Sequence, residues 1–323
     1  MKNLLHSREI LAALASGEAV SGADLAARAG VTRAAVWKHV EALRDKGLPV
    51  AAQAGAGYRL PWPLQLLDAE RIRARLGRDA GRVEVHWELD STSSELARRR
   101  DTLPDGAVVL AEGQQSGRGR RGRAWLSPPG LNIYLSCLKR FECGFAGLSG
   151  LSLAVGVVVA ETLVALGVPG VGLKWPNDVY ADGAKLAGIL VELNGEYQGP
   201  CTAIVGVGIN VRLSAAMREG ITQPAVDLAQ LCGADAPDRN AVAAGLIMHL
   251  RDGLERFAQQ GFAGFASTFA DLDLLRGKAL HLSGARGEVD GTGAGVDAQG
   301  ALCVVTADGE IRVDSAEVTV RLR

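Results

Sequence analysis

Apolar and polar positions fall into three successive patterns along the chain. Over the first sixty residues the apolar spacing is helical. Val36, Val40 and Leu43 make one stripe of a helix that Thr32 caps and that runs to about Asp45, leaving Ala34, Trp37 and Lys38 facing outward. Ser21-Gly22-Ala23-Asp24 is a capping box that opens a shorter helix through Ala29, and Gly30 breaks it. Two short helices joined by a glycine turn predict a helix-turn-helix whose second helix would lie in a DNA major groove. Residues 47–60, with Gly55-Ala56-Gly57, predict two strands and a hairpin, a wing. Pro61-Trp62-Pro63 then reads as a linker, because proline stops regular structure on both sides.

From residue 64 the pattern alternates. Strands are expected at 83–89, 107–112, 131–138, 171–175, 187–193 and 203–210, and helices at 68–76, 92–100, 148–166 and 240–257. Strands and helices mixed without a strict βαβ repeat predict an α+β domain around a mixed, mostly antiparallel sheet. Beyond Gly277 the runs shorten to 278–282, 287–290, 301–306 and 311–314. Glycine-rich turns such as Gly291-Thr292-Gly293-Ala294-Gly295 separate them, which predicts a small β-barrel or sandwich. The expectation is an α+β multi-domain chain divided at 1–62, 63–272 and 273–323.

Composition narrows the function classes. A chain of 323 residues with formal net charge −1 has no global nucleic-acid or membrane signature, so any such partner must be read by a local patch. Residues 1–60 supply one, with eight Lys or Arg (Lys2, Arg8, Arg28, Arg33, Lys38, Arg44, Lys46, Arg59) against five acids. Five scattered cysteines without a C-x-x-C argue against a disulfide framework or a zinc site and for a reducing compartment. No signal peptide is visible. The most apolar run, residues 148–173, is broken by Glu161 and by Pro169-Gly170, and reads as a buried helix followed by a strand. A cytoplasmic protein with no membrane partner is expected.

The chemistry concentrates in Gly117-Arg118-Gly119-Arg120-Arg121-Gly122-Arg123-Ala124-Trp125. Glycines allow positive φ and close backbone approach, and arginines grip phosphate or carboxylate with a planar fork. The segment spells G-x-G-x-x-G, yet arginines fill its gaps and Leu126-Ser127-Pro128-Pro129-Gly130 cannot open a helix packed on a sheet. The dinucleotide reading fails. Lys174-Trp175-Pro176-Asn177-Asp178 closes a strand, and Lys185 stands at the mouth of another. Gly206-Val207-Gly208-Ile209-Asn210 ends a third with an amide. Lys174, Lys185 and the loop arginines can surround a polyanion; Asp178 can hold Mg2+ or orient a nucleophile; Asn210 can read an amide or a purine edge. Ser91, Thr92 and Gln115 offer polar contacts to a small neutral ring. A P-loop is excluded, and no Ser-His or Cys-His pair suits an acyl-enzyme. Attack of a carboxylate on the α-phosphorus of ATP suits this set, because it needs charge neutralisation and alignment more than proton transfer.

In order, these clusters resemble the biotin–protein ligases. The helix beginning Thr32-Arg33-Ala34-Ala35-Val36-Trp37-Lys38-His39 looks like the bifunctional subgroup, in which ligase and biotin-operon repressor share one chain. The resemblance runs over essentially the whole length and implies an SH3-like C-terminal barrel. It implies that biotin and Mg·ATP form biotinoyl-5′-AMP, which then biotinylates a lysine of a biotin carboxyl carrier protein. By position, Ser91, Thr92, Ser93, Gln115, Gly119, Arg120, Arg121, Lys185 and Gly188 would contact biotin. Arg118, Arg121, Trp125, Lys174, Asn177 and Asn210 would contact ATP or the adenylate. Lys185, Arg118, Arg120 and Asp178 would carry the catalysis, with Arg118 and Arg120 clamping the loop as a lid. Thr32, Arg33, Ala34, Trp37 and Lys38 would face DNA. No fixed metal site is implied, since magnesium would arrive with ATP. The family also implies a homodimer when adenylate is bound, competent for operator DNA of the biotin operon.

Two positions depart from the family pattern. The biotin segment usually reads Ser-Thr-Asn, and here it is Ser91-Thr92-Ser93. The wing usually carries a basic residue where Ala56 stands, which removes one phosphate contact. The competing readings are a ligase whose DNA-binding unit is silent or retargeted, a metabolite-sensing regulator without catalysis, and a relative that attaches lipoate or octanoate.

Overall fold

A computed structural model describes residues 2–195, 198–284, 287–314 and 318–322. The N-terminal unit is α1 (Lys2–Leu14), α2 (Gly22–Ala29), α3 (Arg33–Asp45) and the two-stranded wing β1 (Ala51–Gln53) and β2 (Gly57–Arg59). The caps are formed as the sequence predicts. Ser21 Oγ accepts from Asp24 N at 3.1 Å, Gly30 turns at φ 64°, and Thr32 Oγ1 accepts from Ala35 N at 3.2 Å. Gly57 is required in the wing: at φ 106°, an added Cβ would lie 2.1 Å from the Val20 carbonyl oxygen.

The central unit runs α4 (Ala69–Leu76), β3 (Val83–Leu89), α5 (Thr92–Arg99), β4 (Val108–Gln114), β5 (Ile133–Phe141), α6 (Leu151–Ala165), β6 (Val171–Lys174), β7 (Asp178–Ala181), β8 (Ala184–Gly195) and β9 (Cys201–Ile209). Helices α7 (Ala215–Gly220), α8 (Leu228–Cys232), α9 (Arg239–Gln260) and α10 (Ala266–Leu272) follow. The strands form one seven-stranded sheet in the order β3-β4-β5-β9-β8-β7-β6. Only β3 and β4 pair in parallel; the remaining neighbours are antiparallel, a mixed and mostly antiparallel sheet. The short strand β7 is absent from the sequence reading because its four residues sit between two tight turns, too few for an alternation to register. The apolar segment Phe145–Ala165, long enough to cross a bilayer, is 67% buried and packs against α9 in the core.

The C-terminal unit holds β10 (Ala279–Gly284), β11 (Gly287–Val296), β12 (Leu302–Thr306), β13 (Gly309–Val313) and β14 (Val318–Leu322), antiparallel in the order β13-β12-β11-β10-β14. The expected glycine-rich turn at 291–295 is instead the middle of β11. Gly291 and Gly293 serve close packing, since a Cβ at Gly293 would lie 2.2 Å from the Leu275 carbonyl oxygen and one at Gly291 2.6 Å from that of Val305, whereas Gly295 takes φ 95° where the register shifts.

Packing joins the units. Leu280, Leu282, Leu302 and Val304 share one apolar cluster with α6, α9 and the large sheet. Leu131, Leu213 and Met217 of the central unit complete the cluster of the helix-turn-helix. Beneath the linker lies the buried Arg239–Glu112 ion pair at 3.0 Å, both side chains 4% exposed. Arg239 Nη2 also donates to the Asn132 carbonyl at 2.6 Å, and Asn240 Oδ1 accepts from Asp68 N at 2.8 Å.

Candidate functional site

The strand order brings the separate clusters of the sequence to one cavity of about 1040 Å3 on the face of the large sheet. Its floor is β9 and β8. Gly206 and Gly208 alternate along β9 on the cavity side, and Gly208 pairs with Gly188 across the strands. Without side chains there, two groups approach closely. A Cβ on Gly208 would lie 2.5 Å from Trp125 Cε2 and one on Gly206 3.0 Å from Ser93 Oγ. The bare floor therefore has an aromatic half and a hydroxyl half.

The hydroxyl half is built by the start of α5. Ser91, Thr92 and Ser93 are all buried. The Thr92 and Ser93 hydroxyls meet Ser136 Oγ on β5 at 2.8 and 2.9 Å, and Thr92 N donates to Gln114 Oε1 at 3.0 Å. Gln114 Nε2 in turn donates to Ser127 Oγ at 3.0 Å, which donates to the Trp125 carbonyl. Ser93 thus has a partner in this network. Gln115 needs correction. It is exposed and does not line the cavity, whereas Gln114 does, because β4 continues through Gln114 and the two residues point to opposite sides.

The arginine segment is a hairpin. Gly119 N donates to the Arg123 carbonyl at 2.7 Å and Trp125 N to that of Gly117 at 2.8 Å. Arg120, Arg121 and Gly122 form the tip, where Arg121 takes φ 56°. Arg120 Nη1 donates to Asn177 Oδ1 at 3.3 Å. Burial lowers the Arg120 pKa from its ordinary value, and the neighbouring Arg121 charge adds to this; the group stays cationic, and an incoming anion would relieve the strain on it. Arg118 also lines the cavity, and its guanidinium is engaged by Glu192 and Ser94.

Opposite the hairpin, the hairpin turn between β6 and β7 presents Lys174, Asn177 and Asp178. Lys185 Nζ pairs with Asp178 Oδ1 at 2.6 Å and lies 5.4 Å above the Trp125 ring. Lys174 Nζ donates to the Tyr180 hydroxyl at 3.3 Å, and burial pushes the Tyr180 pKa up to about 12. Asn177 Nδ2 donates to the Ile189 carbonyl at 2.8 Å, which locks the turn onto β8. Asn210 is buried at the cavity edge, and its Nδ2 donates to the carbonyls of Lys185 and Val226, both at 3.2 Å. It therefore fixes the backbone from which Lys185 projects.

One wall was not anticipated. Met217, Gly220 and residues 221–225 line the cavity, and Lys185 N donates to the Pro224 carbonyl at 3.0 Å. The segment carries no run of charged or hydroxyl residues that would have marked it. Among the described residues no group of three or more His, Cys, Asp or Glu could hold a metal ion. Away from this site, Thr32, Arg33, Ala34, Trp37 and Lys38 lie on the exposed side of α3, with Trp37 55% exposed.

A cavity with a hydroxyl-lined end, an aromatic end and cations between them suits condensation of a carboxylate with a nucleotide. Known proteins bear this out. Residues 88–210 match the biotin/lipoate A/B protein ligase family, residues 6–59 an HTH domain and residues 281–321 the biotin protein ligase C terminal domain. The bifunctional ligase/repressor BirA of Escherichia coli (strain K12) is 43% identical over 312 residues, covering 97% of this chain and 96% of that protein; the BirA of Salmonella typhimurium matches to the same extent. The biotin protein ligase of Aquifex aeolicus, in complex with biotin and ATP, superposes with a TM-score of 0.65 at 31% identity, covering 75% of this chain and 99% of that one. The chain belongs to the family of bifunctional biotin–protein ligase/repressors, and it is an enzyme of the ligase class acting on biotin and ATP.

Proposed function

We propose that the three units, 1–62, 63–272 and 273–323, work as DNA reader, ligase and supporting β domain of a cytoplasmic protein. The observation that carries the ligase assignment is the Lys185–Asp178 pair at 2.6 Å, set between the hydroxyl end and Trp125. Biotin lies with its ring against Ser91, Thr92, Ser93 and Gln114 over Gly188, and its carboxylate reaches toward Lys185 and the hairpin tip. ATP enters as its magnesium complex, with adenine near Trp125 and its phosphates among Arg120, Arg121, Lys174 and Asn177. The biotin carboxylate oxygen attacks the α-phosphorus, a new P–O bond forms, and the bond to pyrophosphate breaks. Lys185 and Arg120 offset the charge that gathers on the phosphoryl oxygens. Asp178, paired with Lys185 at 2.6 Å, keeps the ammonium aimed in this first step.

In the second step the neutral ε-amine of a lysine on a biotin carboxyl carrier protein attacks the adenylate carbonyl carbon. An amide forms, AMP leaves, and the nitrogen's proton is lost to solvent, while Asp178 orients the amine. The exposed face of α3 binds operator DNA of the biotin operon, and the adenylate-bound chain does so as a homodimer. Supporting this are the matched HTH domain and the basic, outward Arg33 and Lys38. The test is binding of the full chain to biotin-promoter DNA with and without biotin plus Mg·ATP. Dimeric binding that requires both ligands is expected. Ligand-independent or absent binding, with carrier biotinylation intact, would leave the ligase and remove the repressor.

A further inference from the structure

Arg118 spends all three guanidinium nitrogens on the protein. Nε and Nη2 donate to Glu192 Oε1 at 3.2 and 3.0 Å, Nη2 also reaches Oε2 at 3.1 Å, and Nη1 donates to Ser94 Oγ at 2.7 Å. Glu192 lies on β8, the strand that carries Lys185 and Gly188, and Ser94 lies on α5, one residue past the buried hydroxyl run. Arg118 itself begins the stem of the arginine hairpin, bridged to Ala124. One side chain thus ties together the three elements that must agree on the position of biotin and of the hairpin tip.

We infer that Glu192 and Ser94 are positioning residues of the adenylation site, and that Arg118 acts as the clip they hold rather than as an anion ligand. The inference rests on the ligase reading above. A carboxylate with both oxygens on the Arg118 guanidinium neutralises that charge and fixes its plane. The hairpin then pivots on a fixed stem, which sets where its tip, with Arg120 and Arg121, lies over the cavity. Loss of the clip leaves the tip cations in place but lets the stem wander, so the closed loop is populated less. Ligand affinity falls by that fraction, while the chemistry within the closed complex is unchanged.

The test is Glu192→Gln in the full chain, with Ser94→Ala as a second variant and the exchanged pair Arg118→Glu/Glu192→Arg as a rescue. Both Arg118 and Glu192 are about a third exposed, so the fold tolerates these changes, and thermal unfolding checks this. Biotin-dependent pyrophosphate release gives KM and kcat. Biotinylation of a bystander protein such as serum albumin reports escape of the adenylate. For Glu192→Gln we expect KM for biotin to rise about tenfold, a ligand-binding loss of ~1.4 kcal/mol, with kcat within about twofold and bystander labelling raised. The exchanged pair should recover most of the KM. Unchanged KM and bystander labelling in Glu192→Gln, or an effect confined to kcat, would overturn the inference and return Arg118 to direct contact with the anion. Absence of biotin-dependent pyrophosphate release from the unaltered chain would instead overturn the ligase reading itself.

Discussion

Gly208→Ala is the sharpest perturbation of the cavity floor. The new methyl would lie 2.5 Å from Trp125 Cε2 and 2.7 Å from both Cζ2 and Nε1, where ordinary carbon contacts begin near 3.4 Å. The indole must therefore retreat by about 1 Å or the strand must bow. The strand is held on both sides, by Tyr134 of β5 and Gly188 of β8, so the ring moves. Overpacking of this kind costs about 1–3 kcal/mol, which at the adenine end corresponds to a fall of roughly 5- to 150-fold in kcat/KM for ATP. The assay is biotin-dependent pyrophosphate release at varied ATP, with biotin binding measured separately by calorimetry. KM for ATP should rise while biotin affinity stays nearly level. Gly206→Ala is the internal contrast, because its methyl meets Ser93 Oγ at 3.0 Å and should raise KM for biotin instead. Equal effects of both variants on both substrates, or none from Gly208→Ala, would refute the division of the floor into two halves.

Other predictions concern the frame. Arg239→Met leaves Glu112 buried without its ion-pair partner, which should cost about 3–5 kcal/mol and lower the melting temperature by roughly 6–10 °C in calorimetry. Glu84 is held at a pKa of about 2 by its hydrogen bond to Arg99, opposed by desolvation and helped by Arg82. Because the folded value lies below the unfolded one, its stabilisation is fully present above about pH 4.5 and drains between pH 4.5 and 2. Glu84→Gln should flatten urea-measured stability across that window. Lys38→Ala, on the exposed face of α3, should weaken DNA binding uniformly across sequences and reduce the slope of log K against log salt by about 1.

Much of this was legible in local chemistry. The caps at Ser21 and Thr32 and the glycine at position 30 set the helix-turn-helix because such signals act over three or four residues. The functional clusters were visible as residue types at strand ends, and the sheet order then carried them to one cavity. What stayed hidden depends on pairing between distant segments. Gln114 and Gln115 are chemically identical neighbours, and only the end of β4 decides which one faces the site. Arg118 looks like its neighbouring arginines until Glu192, seventy-four residues away, claims it. Gly291 and Gly293 of β11 resemble a turn because their reason, close approach to Leu275 and Val305, lies in another part of the chain. The wall at 217–225 is ordinary in composition and gains its place through Lys185 and Pro224.

The most direct test is transfer of biotin to a purified biotin carboxyl carrier domain, followed by intact-mass spectrometry, for the unaltered chain and for Lys185→Ala. The account predicts one biotinyl group added per acceptor, dependent on both biotin and Mg·ATP, and at least a hundredfold loss with Lys185→Ala, or about 2.7 kcal/mol of lost charge stabilisation. Addition of lipoate in place of biotin, or full activity in Lys185→Ala, would contradict it.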